Sequence, residues 1–578
     1  MHRVLCNKGD GVSAKLARHR FGMFRVEDGL GRALALAIVC GAFVSLPVLS
    51  VFASFWQASE SADTLQHLIA TVIPTALMET ALLGTAVVVG VIILGAGTAW
   101  LVATCEFAGR RTFEWALLLP LSMPAYIVAY AYTDYLQFAG PLQSSLREAF
   151  DWQHGDYWFP EIRSLAGAAF VFIVVLYPYV YLLARTAFLA RTAAMMEAAR
   201  SLGQTAWQTW WRVNLPLARP AIAAGALLAL METIADFGAA SYFNLQTFTT
   251  SIYRAWFSLG DRVAASQLAA VLLVLVLALF TIEHRARGRA RFFTPTASQR
   301  PAPRVVLKAK RSAAAFAVCL VPVALGFIVP VLLLLRLLLP AWQTVDWVRY
   351  AQWLANTLVI GAAAAMVALV AVVSLAYTAR STTRGAPGVL VRSAVRLMSL
   401  GYAVPGAVIA VGILVPLAAF DNRLDSVLRA AIGVGTGLLL TGSVLALLYG
   451  YLVRYFAVAY QAVEAGLTRI TPSMDASARS LGSTPFDAFV RVHLPILRPS
   501  VLAAGLLVFV DVMKELPATL VLRPFNFDTL AVVAYQMASD ERLGQAALPA
   551  LTIVVAGIVP VTLLSRAISR ASGVEQRE

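Results

Sequence analysis

At twelve places along this 578-residue chain, a run of apolar residues is long enough to cross a bilayer. The runs lie near 33–56, 77–104, 115–137, 165–189, 220–243 and 264–283, then near 313–340, 354–379, 395–418, 430–453, 499–517 and 546–566. About 20 apolar residues span the hydrocarbon core as a helix. In lipid the backbone must satisfy its own hydrogen bonds, which leaves helices or closed barrels. The two-residue alternation that a barrel needs is not visible. The pattern predicts an all-α polytopic membrane protein of about twelve transmembrane helices. Pro120, Pro124, Glu232 and Asp236 interrupt the third and fifth runs.

Charge sets the orientation. The residues are 60% hydrophobic and 13% charged, and the net charge of +15 falls between the spans, which argues against a nucleic-acid surface. Arg18, Arg20, Arg25, Arg110 and Arg111 lie on one side. With them lies 284–312, which carries nine Lys or Arg residues and no acid. The opposite loops hold Glu60, Asp63, Glu148, Asp151, Asp156, Glu161, Asp421, Asp425, Asp540 and Glu541. Positive residues favour the cytoplasmic face. This predicts both termini and 284–312 on that face, with 33–56 retained as a span rather than cleaved as a signal peptide. Cys6, Cys40, Cys105 and Cys319 show neither disulfide nor zinc spacing.

The chain repeats itself. A shift of 279 superposes 200–220 on 479–499 with eleven identities, including Gly203 on Gly482, Arg212 on Arg491 and Pro220 on Pro499. Six spans per half give the halves one orientation, as parallel repeats about an axis along the membrane normal. The expected organisation is a cytoplasmic segment 1–32, a first unit 33–283, a basic linker 284–312, a second unit 313–566 and a tail 567–578. The linker reads as a solvated tether.

In each repeated loop, a glycine ends one short helix. Thr205 and Thr484 then suit the N-cap of another, with Gln208 and Asp487 three residues on, as in a capping box. Trp207, Trp210 and Trp211 form an aromatic face, matched by Phe486, Phe489 and Val490. Such a face suits lipid headgroups or a docked partner. Duplication with the same Arg, Gly and Pro punctuation favours a two-fold partner.

The shift also sets Glu232 on Asp511 and Asp236 on Glu515. Each pair has i, i+4 spacing, so its two carboxylates share one helix face. Acids inside a span face a cavity or a partner. These four are candidates for the translocation pathway, where oxygen ligands would suit a hard cation. The alternative is that they cap helix ends. Lys514 could neutralise one of them. A one-residue slip, suggested by Gly225 opposite Ala504 rather than Gly505, would uncouple the pairs. Tyr126, Tyr130, Tyr132 and Tyr135, with Tyr177, Tyr179 and Tyr181, read as packing or interfacial aromatics rather than iron ligands.

The stretch beginning Glu197-Ala198-Ala199 resembles the EAA loop of ABC-transporter permeases of the binding-protein-dependent importer type. The second copy departs from it, with Ala476-Ser477-Ala478 in place of the acidic start. The resemblance covers nearly the whole chain. At 231–270 and 511–551 it is to the fused, two-unit permeases of ferric iron importers. It implies the type I ABC importer permease fold in two six-helix repeats, a bacterial inner-membrane location and a transport subunit that is not itself an enzyme. The loops would enter clefts in two copies of a cytoplasmic ATPase, and a periplasmic binding protein would deliver ferric iron. No GxxxxGK[ST] motif occurs, so the expectation is that this chain binds no cofactor and ATP is bound on the partners. Thiamine and phosphonate importers have related permeases. An ion-gradient transporter would share the twelve spans and buried acids but leaves the repeated loops unexplained, as does a membrane scaffold.

Overall fold

The computed structural model describes residues 39, 41–55, 66–153, 155–189, 197–199, 201–288, 304–381 and 385–571. Among these, ten helices are long and apolar enough to cross a membrane. A bent pair, Arg110–Ser122 and Ala125–Phe150, makes eleven if read as one span. Leu68–Thr104, Leu165–Leu189, Trp210–Ala235, Arg262–Ile282, Ala309–Thr344, Trp347–Arg380, Phe486–Met513 and Leu543–Leu563 overlap expected spans. The first expected span lies partly outside the described residues, and its described part is a short apolar helix, Gly41–Ala53.

Four expectations are corrected. The third span is not straight: its two helices meet at 88°. Pro124 is extended, with ψ 137°, before the helix Ala125–Leu136. The residue before a proline is pushed out of the α region, so the break falls at Met123. The second half has the same order of elements. Helix Gly385–Ser399 ends in the turn Leu400–Ala403, and Pro405 precedes the helix Gly406–Ile432.

The tenth span is displaced, from the expected 430–453 to Val444–Leu467. The apolar stretch 433–443 is a loop because Gly433, Gly437 and Gly442 take positive φ. Asp421 and Asp425 are not loop residues but belong to the helix Gly406–Ile432. Leu440 N–H and Thr441 N–H donate to Asp421 Oδ2 at 3.0 and 2.7 Å, and Gly437 N–H donates to Asp425 Oδ1 at 2.8 Å. The two carboxylates thus pin the loop across the end of their own helix.

The linker is not a free tether at its described ends. Helix Arg262–Gly288 runs into it. Val305–Val306 pairs in parallel with Cys105–Glu106. Ala108 N–H donates to Ser312 Oγ at 3.1 Å.

Packing divides the chain into two compact units that do not follow the repeat. One comprises Met1–Leu46, Ala365–Tyr402 and Leu452–Val508; the other comprises Pro47–Ala364, Ala403–Tyr451 and Phe509–Glu578. In the second of these, the helices of 309–344 join the core of the first repeat. Tyr132 Oη donates to the Leu325 carbonyl at 2.6 Å, and a Cβ on Gly326 would sit 2.3 Å from the Val174 carbonyl oxygen. Only glycine permits that approach, a common device where lipid-embedded helices touch.

Candidate coupling loops and intramembrane acids

Both repeated loops are built alike. Glu197, Ala198 and Ala199 are helical, with Ala199 buried and the other two exposed. Ala476 is exposed and Ala478 buried. Each helix ends at a glycine in the left-handed region, Gly203 at φ 72° and Gly482 at φ 79°. Gln204 N–H donates to the Ala199 carbonyl at 3.1 Å, and Ser483 N–H to the Ala478 carbonyl at 3.0 Å. This six-to-one closure is the Schellman termination. The capping boxes also form. Gln208 N–H donates to Thr205 Oγ1 at 3.3 Å, and Thr205 N–H returns to Gln208 Oε1 at 2.9 Å. Asp487 N–H donates to Thr484 Oγ1 at 3.1 Å, while Thr484 Oγ1 donates to Asp487 Oδ2 at 2.6 Å.

The next helix does not stay separate from the membrane span. In each loop one α-turn is followed by one π-turn, Trp210–Asn214 and Phe489–His493, which runs directly into the span. Pro216 and Pro495 explain the widening. Each lacks an N–H, and its ring would strike the carbonyl four residues earlier. Leu215 N–H therefore reaches back five residues to Trp210, and Leu494 N–H to Phe489.

The aromatic stripe is consequently split. Trp210 packs edge-on against Trp100 at 6.0 Å, and Phe489 packs tilted against Tyr377 at 4.8 Å. Phe486 and Trp211 are exposed, as are Arg212, Arg491, Leu202 and Leu481. The Trp207 side chain lies outside the described residues. Each loop thus leans one aromatic on its own membrane helix and offers Leu, Arg and another aromatic outward.

The second loop carries an ionic latch that sequence reasoning missed. Arg380 Nη2 donates to Asp475 Oδ2 at 2.7 Å and to the Ile470 carbonyl at 3.0 Å. His493 Nε2 donates to Asp475 Oδ1 at 2.7 Å. Burial pushes the Asp475 carboxyl up. Bonds and charge from Arg380 and His493 outweigh this and hold it below the usual carboxylate range. The available signal was Asp475 beside the missing acid at Ala476, with polar His493 opposite Asn214.

The four acids keep the 279 register from Gly203/Gly482 through Asp236/Glu515, with no slip. Asp236 Oδ1 accepts from Ala239 N–H at 2.7 Å. Glu515 Oε1 accepts from Ala518 N–H and Oε2 from Thr519 N–H, both at 2.8 Å. Each carboxylate caps a short helix, Gly238–Tyr242 or Pro517–Leu522, the alternative raised by the sequence. Asp511 pairs with Lys514 at 2.8 Å, and Glu232 is half-buried. Among the described residues, no group of three His, Cys, Asp or Glu is placed to hold a metal ion.

Residues 92–282 match the family described as the binding-protein-dependent transport system inner membrane component. The Fe(3+)-transport system permease protein FbpB 2 of Haemophilus influenzae is 26% identical over 499 residues, covering 85% of this chain and 89% of that protein. Over most of its length the chain is thus similar to permeases of binding-protein-dependent import. The chain is also 22% identical, over 90% of its length and 76% of the relative's, to the ferric transport system permease protein FbpB of Actinobacillus pleuropneumoniae. A single-unit relative, the molybdenum transport system permease protein ModB of Escherichia coli K12, is 29% identical over 186 residues. That match covers 32% of this chain and 78% of ModB. The matched stretch and the apolar helices make the chain a multi-pass inner-membrane protein.

Proposed function

We propose that this permease imports ferric iron delivered by a periplasmic binding protein, driven by two copies of a cytoplasmic ATPase. The observation that carries the reading is the duplicated loop: one glycine termination, one capping box and one π-turn recur at a constant shift of 279. A single loop of this form would be a structural detail; two suit a motor with two identical grips. Glu197, Ala198, Ala199, Gly203, Trp207, Trp210 and Arg212 belong to one grip, and Ala476, Gly482, Phe486, Phe489 and Arg491 to the other. ATP stays on the partners, and both termini face the cytoplasm. ATP binding draws the grips together, and the permease halves then alternate access. The ferric assignment rests on relatives that align with nearly the whole chain. The molybdenum relative aligns with a third of it. Glu232, Asp236, Asp511 and Glu515 set a negative field along the path.

The test is ATP-dependent ferric uptake by proteoliposomes holding the permease, its ATPase and its binding protein. Nothing lies within 4 Å of a Cβ built on Gly203 or Gly482, so only φ strain and an incoming partner oppose a side chain there. Gly203→Leu and Gly482→Leu are expected to leave assembly of the permease intact and to uncouple ATP hydrolysis from uptake. Coupled uptake at the wild-type rate in both variants would contradict the grip.

A further inference from the structure

One face of the helix Ala125–Leu136 carries Tyr126, Tyr130 and Thr133, at i, i+4 and i+7. They are 4%, 1% and 0% exposed. Among the described residues, none of their three hydroxyls has a hydrogen-bond partner. Tyr132, on the other side, differs: its hydroxyl donates to the Leu325 carbonyl at 2.6 Å. Burying an unpaired hydroxyl is costly, and three in one row are not explained by packing.

The surroundings point to the row's ligand. A Cβ on Gly238 would lie 2.8 Å from Tyr126 Cβ and 2.8 Å from Leu516 Cδ2, so the capped helix after Asp236 abuts the row. Tyr535 meets Tyr126 edge-on at 6.4 Å and donates to Ser241 Oγ at 3.1 Å. Gly238 follows Asp236 by two residues and Leu516 follows Glu515, so both carboxylates flank the segments that meet Tyr126, and both act on it electrostatically. These two occupy equivalent places in the two repeats, yet both act on one tyrosine. Their field favours a cation and opposes an oxyanion.

The repeat supplies an internal comparison. Pro124 and Pro405 open equivalent helices, which sets Ala407, Val411 and Leu414 opposite Tyr126, Tyr130 and Thr133. These counterparts are buried and apolar. The hydroxyl row therefore belongs to the first half alone.

We propose that Tyr126, Tyr130 and Thr133 form a one-sided, oxygen-lined track that binds a hard, partly hydrated cation during its passage. This rests on the transport reading and deepens it. Hydroxyl oxygens accept from the cation's water or face the metal directly, while the carboxylates, engaged as caps, supply charge without releasing their own helices. The track makes the two halves unequal in substrate contact although their coupling loops are alike.

The full permease, with its ATPase and binding protein in proteoliposomes, tests this with ferric ion loaded on the binding protein. Tyr→Phe removes one oxygen and no packing volume. Tyr126→Phe with Tyr130→Phe is expected to lower ferric uptake about tenfold or more, since a hydrogen bond to a charged group is worth that much. Binding-protein-stimulated ATP hydrolysis should stay at wild-type level, and thermal stability at or above it, since an unpaired buried hydroxyl is removed. Thr133→Val, close in shape, is a second probe with the same expectation, and Tyr132→Phe should leave uptake unchanged. Undiminished ferric uptake in the Phe and Val variants would overturn the track and leave the ferric reading standing. Wild-type uptake of molybdate instead of ferric ion would overturn the ferric reading and the cation preference together.

Discussion

Asp475 shows how one residue compensates for a departure from a repeated pattern. The first loop begins with Glu197, whereas the second has Ala476 there and an acid one position earlier. That acid binds Arg380 and His493, so the second loop is tied to the end of its own membrane helix. Asp475→Asn keeps the shape but removes the charge, and should cost about 1.5–3 kcal/mol, the scale of a charge-assisted hydrogen bond. Because the folded carboxyl is depressed, its contribution is present above the unfolded value of about 3.9 and is lost as pH falls through the folded value. Thermal melts of the detergent-solubilised permease should therefore show wild type above Asp475→Asn at neutral pH, with the gap closing below about pH 4. A gap that widens in acid would refute the latch. The residues of this latch were invisible as a set because Arg380, Asp475 and His493 meet only through folding. The capping boxes needed only residues three apart, and were legible.

At the scale of elements, the same locality decides what could be read. Most spans were found, but Trp210–Ala235 and Phe486–Met513 begin well before the expected 220 and 499, because the loop helices run straight into them. The stretch 433–443 was misplaced because hydropathy counts glycine and leucine as membrane-compatible, while the backbone of Gly433, Gly437 and Gly442 is not helical. Chemistry at the fifth spans was ambiguous for a related reason. Spacing put two acids on one face but could not say that the downstream chain would turn back and offer its N–H groups to Asp236 and Glu515. The two capping acids differ in exposure. Glu515 is 4% exposed and accepts from two N–H groups and the Thr519 hydroxyl, whereas Asp236 is half-buried. Orphaned buried donors cost about 1–3 kcal/mol each. Glu515→Ala should therefore lower the melting temperature more than Asp236→Ala, and Glu515→Gln should recover part of the loss by retaining one acceptor oxygen. Equal losses in the two alanine variants, read by the same melt, would show that the caps are not what these acids contribute.

For the whole molecule, the sequence repeat and the packing units answer different questions. The repeat counts two six-helix halves. Packing joins the start of the second half to the core of the first. Leu325 accepts from Tyr132, Phe316 stacks edge-on against Phe113 at 5.1 Å, and Val305–Val306 lies beside Cys105–Glu106. These contacts do not depend on the covalent link between 288 and 304. A permease expressed as two polypeptides, cut between 289 and 303, should co-purify as one complex and keep ATP-driven uptake. Gly326→Leu is the complementary case. The atom facing it is the Val174 backbone carbonyl, which cannot swing aside as a side-chain tip would. In the split permease this substitution should stop the two pieces from co-purifying, while each still reaches the membrane. Pieces that separate without the substitution would mean that the peptide link, and not helix packing, holds the halves together.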